Sequence, residues 1–243
     1  MRKIKLKISN QFFHHHSEGI LKHYSYINNL FYNALQEEIE VEVSDRVKSG
    51  VNLKGITAAS LNKQIRRLLK KVNNIEFEVN QLDGVYFVSG QTNGFDFGLI
   101  DNEYNLINFR NLCFGKRHLH DGIKEWKKFL TNPRNVMYKQ LAEKLNLIDG
   151  NSFGIDLPAE KKSPIILGEI QFGNWALAYR DFFKVLKANV LTNVDVLIYV
   201  VPDGNLQAHL SDGIVTFNNT VEIISEFAKV ITVPIWLIGL DFE

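Results

Sequence analysis

Two carboxylates and an amide stand in one stretch of this chain with the types and spacing that phosphate chemistry needs. Asp156 ends Phe153-Gly154-Ile155-Asp156, and Glu169 and Gln171 flank Ile170 in Pro164-Ile165-Ile166-Leu167-Gly168-Glu169-Ile170-Gln171-Phe172. Between them lies the charged segment Ala159-Glu160-Lys161-Lys162-Ser163, which reads as the turn of a hairpin and predicts Asp156 beside Glu169. Strand alternation puts Glu169 and Gln171, two residues apart, on the same side of the sheet. Two carboxylates so placed suit a hard divalent cation that keeps several waters, magnesium above all. Such an ion would polarise a phosphoryl group, lower the pKa of a bound water and offset charge on the leaving oxygen. Gln171 cannot act as a base near neutral pH, but its amide can orient the attacking water. Spacing alone favours a half-exposed polar strand face, because Glu-x-Gln is a common and unspecific triplet.

The surrounding elements supply a frame. Trp175 to Lys187 and Thr220 to Val230 read as helices, and the apolar runs Val194–Val201 and Val233–Leu240 as buried strands. Strand, strand, helix, strand, helix, strand is an α/β order. Upstream, Met1 to Ile8 alternates basic and apolar residues as a half-buried strand does, and a helix is expected from Ser17 to about Glu38. His14, His15 and His16 are consecutive, so their side chains diverge and do not form a zinc site. A helix from Thr57 buries Leu61, Ile65, Leu68, Leu69 and Val72 and carries Lys63, Arg66, Arg67, Lys70 and Lys71 on its flanks. That basic face is either a phosphate contact, through Arg66, Arg67 and Lys70, or an ordinary solvated surface. Ile75–Val79, Val85–Ser89, Phe95–Ile100 and Asn105–Phe109 are expected to form a small antiparallel meander turning at Asp83-Gly84, Asn93-Gly94 and Asp101-Asn102. Two more helices follow, one from His118 to Asn132 and one from Val136 to Leu145.

The charge is uneven along the chain. Residues 1–150 hold 22 Lys and Arg against 16 Asp and Glu, a net +6, while residues 151–243 carry a net −5. A basic part facing a polyanion and an acidic part holding cations would show this asymmetry. The one cysteine, Cys113, cannot form an intramolecular disulfide, and no apolar run is long enough for a bilayer. These features point to a reduced, cytoplasmic setting without a membrane partner.

From Phe153 to Glu243 the sequence resembles the core of the BglII and BstYI group of restriction endonucleases, in the PD-(D/E)XK nuclease superfamily. The likeness rests on Ile155-Asp156, on Glu169-Ile170-Gln171-Phe172-Gly173-Asn174, and on Val233-Pro234-Ile235-Trp236-Leu237-Ile238-Gly239-Leu240. It implies a restriction-endonuclease-like mixed β-sheet core flanked by helices, with an N-terminal α+β region. It also implies that Asp156, Glu169 and the backbone carbonyl of Ile170 hold Mg2+, and that Gln171 stands where most of the superfamily has lysine. Asn174 then touches DNA, or is a turn or cap residue. Ser211 and Asp212, in the polar loop 207–216, fall where the group presents base-reading side chains. A third acidic ligand would come from an upstream helix, with either Glu143 or Glu125 as its donor.

The expected division is a region 1–115 for recognition or dimerisation and a catalytic core 116–243. The implied activity is that of a homodimeric type II restriction endonuclease cutting both strands of DNA at a short palindrome. The alternatives are a structure-specific or repair nuclease on the same fold, and a DNA-binding protein that has lost catalysis.

Overall fold

Ile166–Ile170, Val196–Pro202 and Ile235–Phe242 are buried at every position, as strands covered on both faces must be. They form the centre of a computed structural model that describes residues 1–48, 50–72, 74–82, 85–86 and 94–243. In chain order the elements are β1 (Arg2–His14), α1 (Ser17–His23), α2 (Ser25–Ala34), β2 (Glu38–Val41), β3 (Val43–Lys48), β4 (Val51–Ile56), α3 (Ala58–Leu69), β5 (Ile75–Val79), β6 (Gln81–Leu82), β7 (Val85–Tyr86), β8 (Phe95–Leu99), α4 (Asn102–Phe114), α5 (Gly122–Thr131), α6 (Val136–Lys144), β9 (Ile166–Ile170), α7 (Ala176–Leu191), β10 (Val196–Pro202), α8 (Gly204–His209), α9 (Phe217–Glu226) and β11 (Ile235–Phe242). Seven strands make one mixed sheet in the order β2-β1-β11-β10-β9-β8-β5. β9, β10 and β11 run parallel, while β1 and β8 close the two sides of this trio in antiparallel fashion.

Helices cover both faces. On one side α2 and α3 bury Ile27, Phe31, Leu61 and Ile65 against Phe97, Ile166, Ile198 and Trp236. On the other, α7 and α9 bury Phe182, Val185, Ile223 and Ile224 against Leu167, Leu197, Tyr199 and Leu237. The α/β reading therefore holds, with strands from before and after residue 115 in a single sheet. Among the described residues, no helix is long and apolar enough to cross a membrane.

Four local expectations are corrected. The helix expected from Ser17 to Glu38 is two helices, because Tyr24 leaves helical geometry at φ −101°, ψ 53°, and Glu38 already begins β2. Asn105–Phe109 is helical, since the Asp101 side chain caps α4 by accepting from Tyr104 N at 3.1 Å. Leu106, Phe109, Arg110, Cys113 and Phe114 then share its buried face at three- and four-residue steps. β8 is no part of a separate meander but a neighbour of β9 in the central sheet. Of the expected turns, Asp83-Gly84 and Asn93 lie outside the described residues, as do Phe87–Ser89 of the expected strand Val85–Ser89.

The fourth correction concerns the hairpin. Residues 151–164 form no strand. They run over α4, where the buried Arg110 guanidinium donates to the carbonyls of Gly150, Asn151, Ser152 and Ile155, and Asn111 brackets Leu157. The partner of β9 is β8, and α4, α5 and α6 fill the connection between these two strands around a small core of their own, centred on Trp126.

Candidate active site

Glu169 sits on β9 with its side chain toward α7, at a point where the sheet is covered and dry. Its pairing partner on β10 is Tyr199, also fully buried. On the β8 side the ladder pairs Phe97 with Gly168, so one step further along Asp96 comes opposite Glu169. Asp96 is tied to β9 itself, because its Oδ2 accepts from the backbone N–H of Ile170 at 2.8 Å. One strand further out, β5 pairs Phe77 with Phe97 and Val79 with Phe95, which brackets Glu78 opposite Asp96. Glu78 and Asp96 share the guanidinium of Arg66, whose Nη2 lies 2.6 Å from Glu78 Oε1 and 2.5 Å from Asp96 Oδ1. The first carboxylate beside Glu169 is thus Asp96, delivered by β8 and aimed by Arg66 from α3.

Burial pushes the Glu169 carboxyl well above the usual carboxylate range, while the Lys184 ammonium pulls it down and Asp181 and Asp96 push it further up. Lys184 projects from α7 and ion-pairs with Glu169 Oε1. Apart from this ion pair, Oε1 has no hydrogen-bond partner among the described residues. The ammonium also donates to Gly94 O at 3.2 Å and lies 4.6 Å from the centre of the Phe95 ring. Lys184 and Asp181 are buried on the inward face of α7 together with Ala178, Val185 and Ala188.

Gln171 follows β9 and is buried as well. Its Nε2 donates to Asp181 Oδ2 at 2.8 Å, and its Oε1 accepts from Gly173 N at 2.9 Å. Tyr199 Oη donates to the same Asp181 oxygen at 3.1 Å. Just beyond, Asn174 is exposed, pairs with Ile214 in a single antiparallel bridge and accepts from Ala176 N at 2.8 Å, so it starts α7. Trp175 N donates to Gly213 O at 3.0 Å and Val215 N to Gly173 O at 2.9 Å, which brings the exposed loop carrying Ser211 and Asp212 alongside Asn174.

Asp156, expected at the end of a strand paired with Glu169, lies in the exposed loop over α4 instead. Its Oδ1 accepts from Lys116 N at 3.0 Å, and Gly115 makes room for it, since a β-carbon there would come within 2.0 Å of that oxygen. Glu125 pairs with Lys128 on α5, and Glu143 is exposed on α6. Arg66 is engaged with Glu78 and Asp96, whereas Arg67 near the end of α3 and Lys70 at its C-cap are exposed.

The carboxyl of Glu169 suits a hard divalent ion on two observations. Glu169 Oε1 is buried without a hydrogen bond, and a cationic group already rests against it. Among the described residues no three His, Cys, Asp or Glu side chains gather as a ligand set, so an ion here would complete its shell with backbone oxygen and water.

The family described as Restriction endonuclease BglII/BglIII matches residues 10–240 of this chain. Among solved structures, restriction endonuclease BglII complexed with a DNA 16-mer aligns at a TM-score of 0.49 and 14% identity, covering 100% of this chain and 79% of that one. Free BglII aligns at a TM-score of 0.41 and 12% identity, covering 98% and 79%. No curated protein matches.

Proposed function

This chain belongs to the BglII/BglIII restriction endonuclease family, and from that premise we propose that Asp96, Glu169 and Gln171 form the centre at which it hydrolyses DNA. The enzyme is a type II site-specific deoxyribonuclease. The observation that carries the site assignment is the juxtaposition of Asp96 and Glu169 on neighbouring strands, with Asp96 bonded to Ile170 N.

Asp96, Glu169 and the carbonyl of Ile170 would hold a divalent cation, for which Mg2+ is the natural choice given an all-oxygen donor set. Bound there, the ion supplies Lewis-acid polarisation of the scissile phosphate and a water of lowered pKa. The chain's own groups do the rest. Lys184 favours the charged form of Glu169, which burial alone would protonate. Arg66 holds Asp96 by charge-assisted bonds and restricts its rotation. Gln171 positions the reacting oxygen through its amide. Asn174, Ser211 and Asp212 stand together at the end of β9 and make contact with DNA there, and Arg67 and Lys70 supply phosphate contacts from α3. Residues 1–115 contribute recognition or dimerisation surface and, through β8, the ligand Asp96, which completes the core continued in residues 116–243.

A palindromic site is matched most simply by a homodimer. The solvent-exposed Phe183, Val190 and Val230, 66%, 83% and 55% accessible, give α7 and the chain after α9 an apolar surface suited to it. The test is digestion of a long natural DNA by purified protein with MgCl2, with ends mapped by sequencing. Discrete fragments with one common end sequence are expected, and a smear or uncut DNA would count against the reading.

A further inference from the structure

Gln171 is held at both ends of its amide, and this constrains what it can do. Its oxygen accepts from Gly173 N and its nitrogen donates to Asp181 Oδ2. A carboxylate only accepts, so Asp181 admits the NH2 end of the amide and rejects the oxygen. Tyr199 Oη fills the same Asp181 oxygen, and Arg180 Nη2 reaches the other at 3.3 Å. Asp181 is completely buried on a helix face that it shares with Ala178, Lys184, Val185 and Ala188. A buried charge there is costly unless donors surround it, and packing against the sheet would be served by an apolar residue. The donors it gathers are Arg180, a strand tyrosine and the amide of Gln171, two residues beyond Glu169.

We propose that Asp181 is a positioning residue that fixes Gln171 as a hydrogen-bond donor, so that the second N–H of Nε2 is the group Gln171 presents to the scissile phosphate or its attacking water. This inference rests on the placement of Gln171 in the active site. It goes further in assigning Gln171 the donor's part: it stabilises a lone pair or a phosphoryl oxygen and accepts no proton from the water. A cationic donor at position 171 keeps the partner that Asp181 offers, whereas a carboxylate there meets Asp181 as a like charge.

The test uses the intact enzyme, Mg2+ and a supercoiled plasmid carrying one mapped cleavage site, with kcat and KM measured separately. Gln171→Glu should lower kcat by about a hundredfold or more, as removal of a transition-state donor does, with KM little changed. Gln171→Lys should lower kcat at least tenfold less than Gln171→Glu does. Asp181→Leu, checked for folding by circular dichroism, should lower kcat about tenfold or more at unchanged KM. A folded Asp181→Leu enzyme with full kcat would overturn the proposal. So would a Gln171→Lys chain as inactive as Gln171→Glu, or one that melts well below wild type. If Asp181→Leu unfolds, the lysine and glutamate variants decide the matter. Full activity in Gln171→Ala would instead remove Gln171 from the active site, a result distinct from failure of the Asp181 arm alone.

Discussion

Asp96 accepts a 2.8 Å hydrogen bond from the backbone of Ile170 across the β8–β9 ladder, although 74 residues separate the two in the chain. On the proposed site, the pairing makes β8 a catalytic strand, with α4, α5 and α6 as an insertion between the two halves of that site. It also separates two aspartates that can be tested against each other. Asp96→Asn should lower the cleavage rate by about a hundredfold or more. Asp156→Ala should act mainly through the loop it anchors at Lys116 N and cost far less. Parallel plasmid digestion rates decide this, and the reverse order of severity would return the metal-ligand role to Asp156.

Asp96 escapes a reading of sequence alone for a physical reason. The stretch from Ile155 to Ile170 offers two apolar runs around a charged turn, and a local hairpin is the cheaper hypothesis when only neighbours are compared. The true partner strand lies beyond a helical insertion, and Phe95-Asp96-Phe97 looks like any half-exposed strand until β9 is placed beside it. Asn105–Phe109 fails for a related reason. Its five residues fit either period, and the residues that decide for a helix, Asp101 at the cap and Arg110, Cys113 and Phe114 beyond, lie outside that window. By contrast α3 and the buried strands β10 and β11 were legible, because long runs of one pattern leave little choice. Glu169 and Gln171 were legible as a pair by alternation. Asp181 and Lys184 were not, although they fall at the spacing of Ala178, Val185 and Ala188 and so had to face inward.

The elevated proton affinity of Glu169 predicts how cation binding depends on pH. Its carboxyl stands well above 4.5 because burial outweighs Lys184. Protons therefore compete with the ion at pH values where an ordinary carboxylate is already charged. Mn2+ affinity measured by calorimetry should fall about tenfold per pH unit below that raised value. Without a cation the sign of the stability term is the opposite of the usual carboxylate case. A raised folded pKa contributes stability that is fully present below the unfolded value and lost as pH rises through the folded one. Thermal melts in EDTA should show this component declining toward neutral pH and Mn2+ restoring it. An affinity that stays flat down to pH 4.5 would contradict the assignment of Glu169 as a ligand.

Arg66, Arg67 and Lys70 are neighbours in sequence on α3 but should fail in different ways. Arg66 is forked between Glu78 and Asp96, so Arg66→Ala should reduce cleavage while leaving the salt dependence of DNA binding nearly unchanged. Arg67 and Lys70 are exposed, and replacing either by alanine should reduce the slope of log K against log salt by about 0.9 for each phosphate no longer neutralised. Fluorescence anisotropy across a salt series, in EDTA to prevent cutting, measures that slope. Equal slope changes in all three variants would mean that Arg66 touches DNA as well.

Arg110 offers a test of the insertion itself. It is completely buried, and burial lowers its pKa, with Asp156 acting in the opposite direction. Its donors satisfy the carbonyls of Gly150, Asn151, Ser152 and Ile155, which have to turn away from water where the chain leaves the small core around Trp126 and heads for β9. Methionine at this position keeps much of the volume but strands those acceptors, each costing about 1–3 kcal/mol when it is not rehydrated. Because the loop is exposed on its outer side, water will recover part of that cost, so the net destabilisation should be on the order of 3 kcal/mol. For a chain of this size that is a fall of roughly 6–12 °C in Tm. The cleavage rate of the molecules still folded should drop much less than in Asp96→Asn, since Arg110 serves the loop and the ladder holds the ligands. A folded Arg110→Met enzyme as inactive as Asp96→Asn would mean that the loop over α4 reaches the reacting phosphate after all.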